Sequence, residues 1–294
     1  MNTVFNRNYQ NLMIFFTFLL FWISIQFGEV VEDFLAYIMV ISLGILHGAN
    51  DLLILSLKEK KNKNFIKNLL LYISIIILCL LIYLFSSFVA IILFVLLSSY
   101  HFGEEHLSKE ITVNLLFNSL YFLAYGLFIF SLIFYQSIAD VDLIMSELTG
   151  LTFTKIQIEI TLILSAVFLF TGSLYLIFSK RNKPKIFLKE VFYLALLYLV
   201  FKNSSLILGF AIYFIFWHSI PSIIHQVEFI SGNLNKKTIF FYVKKALIYW
   251  FISIVGLLIL YQLVPQIELF ATVVFVILFA VTAPHTWVMY KMKN

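Results

Sequence analysis

Residues 69–97 read LLLYISIIILCLLIYLFSSFVAIILFVLL, with no charged side chain among them. The uncharged run extends on both sides, from Asn68 to Gly103, between Lys67 and Glu104. A helix rises about 1.5 Å per residue and crosses a hydrocarbon core of about 30 Å in some 20 residues. The run is therefore too long for one membrane span and suits two. Length alone puts the division at Ser86–Ser87–Phe88. The single cysteine, Cys79, lies in the first of these spans, where it reads as a small buried apolar side chain rather than a reactive one.

The same character holds along the chain. Of 294 residues, 62% are hydrophobic and 12% charged, and the mean hydropathy is +1.01. A soluble domain carries roughly twice that share of charge. The reading is an all-α, polytopic helical membrane protein, a single integral-membrane domain over residues 1–294. About ten spans are expected, at 11–27, 34–57, 65–85, 86–103, 113–135, 157–179, 187–201, 205–228, 240–264 and 267–290. The first resembles a signal peptide, but GEVVED follows it without a small-x-small cleavage site, so an uncleaved helix is expected.

Lysine and arginine collect on the cytoplasmic side of membrane proteins. With the N-terminus inside and ten alternating spans, 18 of the 20 basic residues fall in cytoplasmic segments, leaving only Lys155 and Lys202 outside. The outer segments carry Glu29, Glu32, Asp33, Asp140, Asp142 and Glu147 instead. Both termini are therefore expected in the cytoplasm. A basic face against anionic lipid accounts for the net charge of +5 and calls for no nucleic acid.

Six histidines stand in this apolar background, all on spans two, four, eight and ten or just beyond them. Those spans run in the same direction. His47, His101 and His218 lie about 20–22 Å from the outer face by helical rise, His285 about 27 Å, and His106 and His225 deeper, near the cytoplasmic interface. Intramembrane ionisable groups usually face the bundle interior and serve function there, and imidazole is the commonest metal ligand. A shared metal site at the level of His47, His101 and His218 is expected. For His106 and His225 the plainer reading, hydrogen bonding to a neighbour near the interface, leads. Asp51, four residues after His47, is expected on the same helix face, holding that ring's free N–H so that its other nitrogen meets the metal. Pro221 and Pro284 are expected to bend spans eight and ten.

The blocks HGAND at 47–51, YHFGEE at 100–105, WHSIPS at 217–222 and APH at 283–285 resemble those of the Brp/Blh-type β-carotene 15,15'-dioxygenases. These are bacterial and archaeal membrane proteins that make retinal for rhodopsins. The blocks recur in the family's order from the second span to the chain's end. The resemblance implies an Fe(2+) enzyme of the inner (plasma) membrane, acting on β-carotene and O2 and delivering retinal to a microbial rhodopsin. It implies histidine ligands at His47, His101 and His218. Two departures stand out: Leu46 replaces the proline that often precedes the first histidine, and Ser222 replaces a second histidine found in some members. His285 is favoured as the fourth ligand, with His225 second. Three other readings come from different classes: a membrane bis-histidine haem protein, a transporter or proton relay built on histidines and Asp51, and a di-iron desaturase. The last lacks its clustered histidine boxes here.

Overall fold

A computed structural model describes residues 3–58, 62–152, 154–179, 184–263 and 270–293. Most of the described residues are helical, and none of them forms a strand. In chain order the helices are α1 (Thr3–Phe27), α2 (Glu29–Met39), α3 (Ile45–Gly48), α4 (Asp51–Lys58), α5 (Asn62–Phe85), α6 (Ser87–Leu107) and α7 (Leu115–Gln136). They continue as α8 (Ile138–Thr149), α9 (Lys155–Phe178), α10 (Pro184–Asn203), α11 (Leu206–Ile212), α12 (Ile220–Ser231), α13 (Lys236–Leu263) and α14 (Phe270–Lys293). Wider π turns join α2 to α3 (Val40–Gly44) and α11 to α12 (Tyr213–Ser219).

Eight of these runs are long and apolar enough to cross a membrane. The expected spans 187–201 and 267–290 fall on α10 and α14, both helical; α10 carries Lys189 and Glu190 within it, and residues 264–269 lie outside the described part. The outer surface is greasy, with Phe85, Leu84, Phe178 and Leu115 among the most exposed side chains. Only lipid tolerates so much exposed apolar surface. The division of the long apolar run falls at Ser86, whose hydroxyl accepts the Val89 N–H and starts α6.

Backbone-to-backbone approach sets the bundle's centre. A Cβ at Gly103 would stand 2.0 Å from the Phe122 carbonyl oxygen, and one at Gly126 would stand 2.0 Å from that of Ser99. Glycine at both positions lets α6 and α7 pack main chain on main chain. On the opposite side, a Cβ at Gly44 would meet the Phe214 ring at 2.9 Å, so the two π turns also lie close together.

The helices that carry histidines are pinned at their ends. Glu32 and Asp33 of α2 accept hydrogen bonds from the Ser205 N–H and hydroxyl, while the Ser205 hydroxyl oxygen accepts the Leu208 N–H. Two carboxylates thus meet the positive end of α11. Further along, Pro221 has no N–H to close the turn on the Phe216 carbonyl. The Tyr9 hydroxyl of α1 donates to that carbonyl instead. The expected disturbance at Pro221 takes the form of the π turn before it, whereas α14 runs on through Pro284.

Candidate metal centre

Four helical runs bring four histidines to one place. His47 sits in α3, His101 in α6, His218 in the second π turn and His285 in α14. Ring centroids are 4.6 Å apart for His47 and His285, 5.2 Å for His285 and His101, 4.7 Å for His101 and His218, and 5.5 Å for His218 and His47. The four imidazoles close a ring of their own, and all are buried. His285 was expected about a turn deeper than the rest. Its ring instead stands 4.6 Å from that of His47 and 5.2 Å from that of His101, beside the others.

Two of the rings are fixed by N–H donors on their outer sides. The His47 Nδ1–H donates to the Gly44 carbonyl oxygen, three residues back across the π turn. The His285 Nδ1–H donates to Asp51 Oδ1 at 2.8 Å. Each bond leaves the ring's Nε2 with a free lone pair. Asp51 therefore serves His285, not His47 as its spacing implied. The reason is a break: α3 ends at Gly48 and α4 begins only at Asp51, so the four-residue spacing does not keep one helix face. The Tyr72 hydroxyl donates to Asp51 Oδ2 at 3.0 Å and completes the carboxylate's partners.

The break also frees carbonyls, and a residue overlooked in the sequence takes them up. Gln226 Nε2 donates to the His47 carbonyl oxygen at 2.9 Å, and Gln226 Oε1 accepts the Tyr242 hydroxyl at 2.8 Å. Asn50 Nδ2 donates to the Tyr242 carbonyl oxygen at 3.0 Å. A glutamine directly after His225, in the stretch SIIHQVEFI at 222–230, was the available signal.

His225 lies outside the ring of histidines. Its Nδ1–H donates to Glu105, and Lys109 donates to its Nε2. Glu105 also meets Lys293 at 3.4 Å. His106 pairs with Glu190 at 2.8 Å and stacks on the Tyr125 ring. Both outlying histidines belong to an ionic layer at one end of the bundle.

A family model described as Beta-carotene 15,15'-dioxygenase matches residues 38–293. That stretch contains all four clustered histidines and all but the first helix and part of the second. The chain belongs to the beta-carotene 15,15'-dioxygenase family. No curated protein and no solved structure matches it. The resemblance drawn from the four short sequence blocks is thus shown over nearly the whole chain, and with it, at the level of the family, an activity on β-carotene.

The donor set of this dioxygenase-family chain fits a metal ion. Both ring nitrogens of His101 and His218, and Nε2 of His285, are buried without a protein partner. An unsatisfied buried polar group costs about 1–3 kcal/mol, so five such nitrogens gathered at one place call for a partner there. A cation accepting one lone pair from each ring removes most of that cost. Four imidazoles around one ion at about 2.1 Å put neighbouring centroids roughly 4.5–5.3 Å apart, close to the spacing found. Among the described residues no three donor groups already form a closed cage.

The site's walls are aromatic. Phe102 lies 4.3 Å from the His218 ring, and Phe214 lies 5.3 Å from His47 and stacks 5.9 Å from His218. These rings set apolar surface directly against the imidazoles.

Proposed function

We propose that this chain cleaves β-carotene at its central double bond with O2, at a non-haem iron(II) held inside the membrane by His47, His101, His218 and His285. The observation that carries this reading is the closed ring of four buried imidazoles in a chain of this family. In the reaction the 15,15' carbon–carbon double bond breaks and each of its carbons takes one atom of O2, giving two molecules of retinal. No further reductant is needed. Bound iron(II) supplies the O2 activation, for which neutral imidazoles are suitable ligands.

The chain's own residues do the rest. Asp51 and the Gly44 carbonyl hold two rings in the tautomer that presents Nε2. Phe102 and Phe214 exclude water and lie against the polyene. An uncharged hydrocarbon reaches such a site sideways from the bilayer. The retinal product suits delivery to a microbial rhodopsin, and the inner (plasma) membrane is the place for both. His225, tied to Glu105, plays no part in metal binding on this reading.

The test is expression in cells that make β-carotene, followed by extraction and chromatography. Retinal should appear as β-carotene falls, and the purified protein should carry iron without a Soret band. A Soret band with no retinal would favour a haem protein.

A further inference from the structure

An apolar cavity of about 410 Å³ lies to one side of the histidines. Each of the four histidine-bearing runs lines it at positions preceding its own histidine: Tyr37 and Val40 before His47, Ile91, Ile92 and Phe94 to Leu96 before His101, Phe210 before His218 and Leu278 before His285. Those offsets of 5 to 10 residues put the cavity about 7–15 Å along the helices from the imidazoles. It is therefore stacked on the metal centre along the helix axes.

Stacked aromatic rings run from the one to the other. Phe130, in the cavity wall, stacks on Phe102 at 5.6 Å, and Phe210 stacks on Phe214 at 5.3 Å. Phe102 and Phe214 in turn touch the histidines. Ile92 and Leu96 line the cavity and are also exposed on the bundle's surface, so it opens toward lipid. Its far wall includes α8, the short helix between α7 and α9. Val141, Met145 and Leu148 fall on one face of α8 and are buried against the cavity and against Ile91 and Val276.

Resting on the proposed cleavage reaction, we infer that this cavity takes one ring-bearing end of the carotenoid and that α8 is the stop that fixes which double bond reaches the histidines. The chemistry agrees. The lining is apolar apart from Tyr37, Ser131, Gln157 and Thr161, so it suits a hydrocarbon end group rather than a polar one. A linear substrate fed from the lipid side is held in register only if one end meets a wall. Met145 and Leu148 would then determine specificity without touching the metal.

The experiment compares the products of wild type, the Met145→Ala/Leu148→Ala double variant and Ser131→Trp, per molecule of iron-loaded protein from a single gel-filtration peak. Wild type should give retinal alone. Shortening the stop should let the chain slide further and raise the share of unequal aldehydes at least tenfold. Filling the cavity should cut retinal formation at least tenfold with iron content unchanged. Because an inactive variant tells nothing of binding, retention of β-carotene is also measured, by extraction from purified His101→Ala protein with and without Ser131→Trp. Loss of retained carotenoid on adding Ser131→Trp supports the cavity. Retinal as the sole product at the wild-type rate in both cavity variants, or carotenoid retention unaffected by Ser131→Trp, would overturn it. Wild type that retains β-carotene but makes no retinal would instead overturn the cleavage reading and leave the cavity standing.

Discussion

Asp51 Oδ1 lies 2.8 Å from His285 Nδ1, a bond between residues 234 positions apart that ties the start of α4 to the middle of α14. Both side chains are buried. The carboxylate fixes the ring's tautomer and leaves Nε2 with its lone pair, buried and without a protein partner. The corresponding task for His47 falls to a backbone carbonyl, that of Gly44. A main-chain acceptor cannot be changed by mutation, so Asp51 is where the orientation of the site is open to test.

Asp51→Asn keeps the side chain's shape and removes its charge. Loss of such an orienting partner costs about 10–100-fold in metal affinity or activity. The variant should remain in the membrane, bind iron weakly, and recover part of its retinal formation when iron(II) is added. Tyr72→Phe, which removes one hydrogen bond to Asp51, should have a smaller effect in the same direction. An iron titration of Asp51→Asn membranes that stays flat and inactive would show that the carboxylate does more than orient His285.

The close crossing of α6 and α7 predicts a contrast among glycines. Gly103→Ala and Gly126→Ala each drive a Cβ into a facing backbone, which cannot give way as a flexible side chain can. Overpacking of this kind costs about 1–3 kcal/mol and occasionally more. Both variants should lose thermal stability in detergent and lose iron with it, since His101 is carried on α6. Gly256→Ala has open space around the new methyl group and should be neutral or stabilising by about 0.5–1 kcal/mol. Equal melting temperatures for all three would contradict the crossing.

Charge distribution predicts the orientation in the membrane. A reporter fused after Lys293 should read cytoplasmic, and one inserted beside Asp142, in α8, should read external. Both reporters on one side of the membrane would mean an even number of crossings between these points and would contradict the five that the ten-span reading places there.

Much of this arrangement was legible in the sequence. The uncharged run gave two spans, and Ser86 divides them because a serine hydroxyl can start a helix that apolar neighbours cannot. The histidine blocks carried the four residues whose rings the fold brings together, since a polar ring within an apolar span needs a reason to be there. The partner of Asp51 was not legible. Helical spacing pairs it with His47, but the chain breaks after Gly48, and nothing in HGAND announces that. Nor was α8 read as a helix. Asp140, Asp142 and Glu147 gave its segment the look of an outer loop, although Val141, Met145 and Leu148 already form a helical face.

The central claim is that His47, His101, His218 and His285 together hold the iron on which cleavage depends. Its most direct test is iron content and retinal formation measured side by side in purified wild type and in single alanine variants of all six histidines. The account predicts that each of the four clustered substitutions abolishes retinal formation and lowers bound iron. His106→Ala and His225→Ala, which disturb only the ionic layer, should keep their iron and most of their activity. Full activity in His101→Ala, or loss of iron in His225→Ala with its retention in His285→Ala, would contradict the site.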